Sequence, residues 1–193
     1  RHVLEPDEQF VGVLVPPSVG AVVTNAALAI SRRIAVNLNY TISSEAMNQC
    51  IDQCGIRHVL TSRRFMEKME FDINAPLVYL EDFRDQVTRS DQLSSAFAAF
   101  LAPSGLLERC LDLHAIRSDD VLTVIFTSGS TGRPKGVMLT QANVGSNIEA
   151  IQQVIHLSSD DVVIGILPFF HAFGYTATLW GTLSINSSAA FHV

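Results

Sequence analysis

Short β-branched runs alternate with stretches of helical spacing through the first part of the chain. Val11 to Val15 predicts a strand, Pro16-Pro17-Ser18 turns it, and Val19 to Ser31, rich in Ala and Val, predicts a helix. Ile34 to Leu38 reads as a second strand. Ser43 or Ser44 can cap a helix in which Met47, Cys50, Ile51 and Cys54 share one face, and Gly55 stops it. His58 to Thr61 predicts a third strand, Phe65 to Met69 a short helix and Leu77 to Leu80 a further strand. Strands alternating with helices predict βαβ units, hence an α/β fold with a mainly parallel sheet flanked by helices.

Between 81 and 119 the pattern weakens. Leu93, Phe97, Phe100 and Leu101 keep helical spacing until Pro103-Ser104-Gly105, which suits a helical connection over the sheet. After Ser118-Asp119-Asp120 the order becomes strand, glycine loop, strand, then a helix capped by Thr140 with Val144, Ile148, Ile151 and Ile155 facing inward. Val162 to Leu167 reads as a buried strand and Phe191-His192-Val193 as part of another. Two units follow: an α/β sheet unit at 1–118, and a loop hairpin with the start of a second unit at 119–193.

With 193 residues, 48% of them hydrophobic, the chain can bury a sizeable core. Its net charge of −6 comes without a basic cluster, which argues against a nucleic-acid partner. The apolar stretch from Val11 to Ile30 is split by its prolines and does not read as a membrane span. Three cysteines, with Cys50 and Cys54 at helical rather than knuckle spacing, give no metal site and read as core thiols. Nothing resembles a secretory signal, so a cytoplasmic location is expected, with membrane association of a longer parent left open.

The stretch "IFTSGSTGRPKGVMLT" from Ile125 to Thr140 carries the chemistry. Gly129, Gly132 and Gly136 permit close approach of a ligand, and Thr127, Ser128, Ser130 and Thr131 place hydroxyls beside free backbone N–H groups. Lys135, one of only two lysines, adds a mobile cation. That lining suits a polyphosphate. A Walker A loop is excluded, because Arg133 and Pro134 separate Gly132 from the lysine and a strand rather than a helix follows. Gly-Ser-Thr-Gly also marks ordinary turns; the Pro-Lys-Gly that follows weighs for the phosphate loop. Downstream, His171 lies among Phe169, Phe170, Phe173, Tyr175 and Trp180, a concentration of rings that suits a pocket wall.

"FTSGSTGRPKGV" at 126–137 and "LPFFHAFG" at 167–174 together resemble two signature motifs of the adenylate-forming superfamily, which includes acyl-CoA synthetases, firefly luciferase and peptide-synthetase adenylation domains. "VGVLVPPS", "AVNLNYT" and "HVLTSRRF" resemble it too, so the likeness covers nearly the whole chain. Among its branches these segments most resemble the fatty-acid to acyl-carrier-protein ligase half of the bifunctional bacterial acyltransferase/acyl-carrier-protein synthetase. The resemblance implies that a carboxylate attacks the α-phosphate of Mg-ATP, giving acyl-adenylate and pyrophosphate, and that a thiol of acyl carrier protein or coenzyme A then takes the acyl group. It implies that Thr127, Ser128, Gly129, Ser130, Thr131 and Gly132 cradle the phosphates, that Lys135 neutralises them, and that His171 orients the carboxylate. Arg133 falls on a variable position of the motif.

Members of that superfamily are more than twice as long, and their later motifs supply the adenine, ribose and magnesium contacts and a mobile C-terminal domain. Those motifs are missing from this sequence. A piece of the N-terminal domain is therefore expected, inactive by itself, inclined to self-associate through surfaces its missing part would cover, and without a magnesium ligand of its own. The competing expectation is a non-catalytic nucleotide-binding or interaction module.

Overall fold

The computed structural model describes residues 4–128 and 133–192. Strand β1 (Phe10–Leu14) leads through α1 (Val19–Ile30) to β2 (Ile34–Asn37), and through α2 (Ser44–Cys54) to β3 (Val59–Thr61). A short α3 (Arg63–Met66) precedes β4 (Leu77–Tyr79), after which α4 (Leu80–Gln86), α5 (Arg89–Leu101) and α6 (Ser104–Cys110) make a helical passage. Then come β5 (Val121–Ser128), β6 (Pro134–Thr140), α7 (Gln141–Ile155), β7 (Val162–Ile164), a π-helix (Gly174–Gly181), α8 (Thr182–Ile185) and β8 (Ser188–Ala190).

Six strands form one sheet in the order β4-β3-β1-β2-β5-β6. All neighbours are parallel except β5 and β6, which form an antiparallel hairpin. The expected mainly parallel α/β architecture is met. The chain leaves β1 for β2 on one side, then crosses to β3 and β4 on the other, so helices cover both faces. Alternation along β1 assigns its side chains to two cores. Val11 and Val13 join Leu28 of α1, whereas Leu14 joins Met47, Cys50 and Ile51 of α2. A third core, formed by Leu122, Ile125, Val144, Ile148, Phe169, Tyr175 and Leu179, ties β5 to α7 and the π-helix, and Ala21 of α1 packs into it.

Four buried polar side chains lock this arrangement because each finds a partner. Asn25 on α1 and Asn37 on β2 exchange amide hydrogen bonds of 3.1 and 2.8 Å. Thr61 and Thr123 donate to the carbonyls of Leu14 and Ala35 at 2.7 and 2.6 Å, stapling β3 to β1 and β5 to β2. Helix ends follow sequence chemistry: Ser18 and Ser43 cap α1 and α2, and Gly55 ends α2 at φ 61°.

Several expectations need correction. Val162 to Leu167 yields only β7, and its side chains are not buried: Val162 is 62% and Ile164 69% exposed. Among the described residues β7 pairs with β8 alone, and a two-stranded ribbon has no second layer against which to hide an apolar face. The last strand stops at Ala190; Phe191 packs its ring against Gly165, where a Cβ would lie only 2.3 Å from it, and Val193 lies outside the described residues. Helix α5 forms at the predicted spacing, but Leu93, Phe97, Phe100 and Leu101 face solvent instead of covering the sheet. On α7, Val144 and Ile148 are buried, Ile151 half-buried and Ile155 exposed. Of the three cysteines, Cys50 is core, Cys54 half-buried and Cys110 exposed. Among the described residues no helix is long and apolar enough to cross a membrane.

Candidate functional site

The hairpin of β5 and β6 places the phosphate-loop residues. Thr127 stands opposite Lys135 and Ser128 opposite Pro134. Directly opposed residues of an antiparallel pair project to the same face, so the Thr127 hydroxyl and the Lys135 ammonium share one side of the hairpin. The Thr127 hydroxyl donates a long hydrogen bond, 3.5 Å, to the Lys135 carbonyl oxygen. Both side chains are exposed, and among the described residues Lys135 forms no ion pair, which leaves its charge free for a ligand. Gly129, Ser130, Thr131 and Gly132, and the side chain of Ser128, lie outside the described residues.

His171 reaches the same region on a tight turn. Its N–H donates to the Pro168 carbonyl at 3.1 Å, and its own carbonyl accepts from Tyr175 N–H at 2.9 Å. Gly174 makes this turn possible, since a Cβ there would lie 2.3 Å from the Pro168 oxygen. Phe170, buried beside it, meets Tyr40 edge-on at 4.9 Å and so fixes the turn to the end of β2. The imidazole remains exposed.

Thr127, Pro134 and His171 border one cavity of about 590 Å³. Its remaining walls are mostly apolar: Ile42, Ala46 and Cys50 approach from the α2 side, and Ile125 and Phe126 from β5. Asn39 adds a polar group beyond β2. Gln53 closes one flank by donating from Nε2 to the Pro134 carbonyl at 3.2 Å. Burial pushes the Cys50 thiol up to about 11, so at neutral pH it is an uncharged wall and no nucleophile. Lys135 is not part of the wall.

The fold brings Thr127 of the sequence-predicted phosphate loop and His171 to one cavity, and the rings that surround His171 in the sequence are not its walls. None of the five rings around His171 lines this cavity. Phe169 and Tyr175 instead pack with Phe191 and Trp180 in the third core, and Phe173 is exposed. Tyr175 and Trp180 stand on the eight-residue π-helix, which turns them into that core, and no spacing rule announces a π-helix. The residues missed, Ile42, Ala46 and Cys50, carry no local signal beyond the apolar face of α2. Among the described residues no group of three His, Cys, Asp or Glu side chains gathers in the manner of a metal site.

A model of the AMP-binding enzyme family matches residues 4–191. The chain is 41% identical over 91 residues to the Probable CoA ligase CCL9 of Humulus lupulus, an alignment covering 46% of this chain and 17% of that protein. It is 27% identical over 180 residues to Long-chain-fatty-acid–CoA ligase 5 of Mus musculus, covering 86% of this chain and 26% of the relative. In fold it is similar to o-succinylbenzoate coenzyme A synthetase (MenE) from Bacillus subtilis in complex with AMP, at TM-score 0.75, 19% identity and coverage of 99% of this chain and 44% of the other. ATP-bound MatB from Rhodopseudomonas palustris superposes at TM-score 0.70 with 21% identity, covering 96% and 35%. The matches thus cover between 17% and 44% of the length of these proteins. A family match running from Leu4 to Phe191, over a sheet and hairpin of the same architecture, establishes that this chain belongs to the AMP-binding enzyme family.

Proposed function

We propose that the protein carrying this chain is an AMP-forming acid–thiol ligase, which activates a carboxylic acid with ATP as acyl-adenylate and passes the acyl group to a thiol. The observation that carries this reading is the shared cavity. One space is bordered by Thr127 of the phosphate hairpin and by His171, with apolar walls between them. In this reading the site lies between the two proposed units, 1–118 and 119–193. Asn39, Ile42, Ala46 and Cys50 come from the first, and Ile125 to Thr127, Pro134 and His171 from the second.

The chemistry follows from those positions. A carboxylate becomes a good electrophile only when one of its oxygens leaves with a phosphate, and charge then spreads over the phosphoryl oxygens. Hydroxyls and backbone N–H groups of Thr127 to Gly132 are proposed to hold the β- and γ-phosphates, with Lys135 as counter-charge. His171, held by its turn with the imidazole free, is proposed to orient the carboxylate. Magnesium enters with ATP, and no described residue is assigned to hold it. An apolar wall suits an acid with a sizeable apolar tail, and a fatty acid is the substrate we favour. The acceptor is acyl carrier protein or coenzyme A; the branch resemblance favours the first and the names of the relatives the second.

ATP–pyrophosphate exchange by the full-length protein with a panel of carboxylates tests this reading. Exchange should depend on an added acid and be strongest with fatty acids; exchange with amino acids alone would overturn the substrate class. Lys135→Ala should weaken ATP use by about 1–3 kcal/mol, the worth of a charge-assisted contact to phosphate, with the fold intact because the side chain is exposed. ATP affinity and exchange rates equal to wild type would remove Lys135 from the phosphate site. ATP binding without exchange for any acid would favour the non-catalytic module instead.

A further inference from the structure

We infer that α2 measures the acid: Ile42, just before the helix, and Ala46, on its first turns, set the length of apolar tail that the proposed enzyme accepts. This deepens the proposed function and rests on it. Ala46 and Cys50, one helical turn apart, present the same face of α2 to the cavity that His171 borders, and Ile42 extends that wall toward the end of β2. Beneath them the helix is rigidly seated, with Met47 and Ile51 at most 2% exposed. Ser43 caps the helix and Gly55 terminates it, so the wall cannot recede without unmaking a core.

Wall chemistry identifies which part of which substrate lies here. The polar groups of the cavity, Asn39, Thr127 and His171, stand at the hairpin and the strand end. On the α2 side the one polar side-chain atom is the Cys50 sulfur, and its S–H already donates to the Ala46 carbonyl at 3.3 Å. An arm rich in amides, such as that of a phosphopantetheine thiol, would lose its hydrogen bonds against this wall, whereas a hydrocarbon tail loses nothing. A carboxylate beside His171 with its tail running toward Ala46 satisfies both ends. Ala46 matters because it is the small residue of the wall: a larger side chain there takes space from the ligand. Ile42 matters in the opposite sense, since shortening it adds space.

Two variants of the full-length protein, Ala46→Phe and Ile42→Ala, test this with acetate, butyrate, dodecanoate and hexadecanoate in ATP–pyrophosphate exchange. Each methylene buried is worth roughly three- to fourfold in affinity. Ala46→Phe, which excludes several, should lower kcat/KM for hexadecanoate at least tenfold more than for butyrate, and a urea midpoint like the parent's shows that the variant is folded. Ile42→Ala should shift preference toward the longer acid. Calorimetric binding of dodecanoate without ATP should follow the same order. A chain-length profile parallel to wild type in both variants overturns the inference while leaving the ligase reading intact. So does normal exchange with slowed thioester formation, which would give this wall to the thiol. Absence of exchange with every acid in the wild-type protein overturns the ligase reading, and the inference with it.

Discussion

Strands β1 and β7 are both short runs of valine and its kin, yet Val11, Val13 and Leu14 are 0–1% exposed whereas Val162 and Ile164 are 62% and 69% exposed. The difference lies outside the strands. β1 has a parallel neighbour on each side, with α1 over one face and α2 over the other. β7 has β8 beside it and no comparable cover among the described residues. Local propensity settles whether a segment becomes a strand, and the number of layers around it settles whether it stabilises anything.

Matched truncations can break this comparison. Leu14→Ala removes buried atoms from a core closed on all sides and should cost about 2–5 kcal/mol, read as a lower urea midpoint. Ile164→Ala removes atoms that already meet water and should stay within about 0.5 kcal/mol. Equal shifts would show that the ribbon is covered in solution.

Alkali sharpens the comparison by probing cores on both sides of the cavity. Burial pushes the Cys50 thiol from 9.0 to about 11 and the Tyr175 phenol from 10.0 to about 12. The Tyr175 hydroxyl lies near Trp180 and Thr123 without good hydrogen-bond geometry to either, so desolvation wins. Both groups bind protons more tightly when folded. Their stabilisation is complete below the unfolded values and is lost as pH rises through the folded ones. Between pH 9 and 11 the Cys50 thiol should cost on the order of 2 kcal/mol. Urea unfolding at pH 8 and pH 10.5 should show a smaller alkaline loss for Cys50→Ala than for the parent; identical losses would place the sensitive group elsewhere.

The same division between local and non-local causes explains what the sequence made legible. Strand and helix identities from Val11 to Thr61, a serine cap at 43 or 44 and the stop at Gly55 on α2, and the hairpin of Thr127 and Lys135 follow from neighbours in the chain. The motif at Leu167 to Gly174 singled out His171 through the likeness it carried, and in the fold His171 borders the same cavity as Thr127. What could not be read was which side chains face each other across long separations. The cavity wall comes from α2, more than a hundred residues before His171, and no periodicity records that meeting. Phe97 and Phe100 show the converse error: their spacing is that of a covered helix face, and the face is bare.

Two capping boxes bring the comparison to its smallest scale. Thr140 on α7 exchanges hydrogen bonds with Asn143 at 3.0 and 3.2 Å, and Thr88 on α5 does the same with Asp91 at 3.0 and 3.2 Å. The boxes are chemically alike, but α7 buries Val144 and Ile148 while α5 buries nothing. Loss of the Thr140 cap should therefore be felt by the whole fold, and Thr140→Ala should lower global stability by roughly 1 kcal/mol. Loss of the Thr88 cap should loosen only α5, because a helix that contributes no core can fray without unfolding its neighbours. Thr88→Ala should leave the urea midpoint unchanged and speed amide hydrogen exchange in α5 alone. Acid should mimic that effect. Hydrogen bonds from Thr88 hold the Asp91 carboxyl below its usual 3.8, so its contribution is present above that value and is lost as pH falls through the lowered one. Faster exchange confined to α5 at low pH, absent in Asp91→Asn, is the expected signature. A fall in global stability on losing Thr88 would mean that α5 is docked on something after all, and that its bare apolar face is covered in solution.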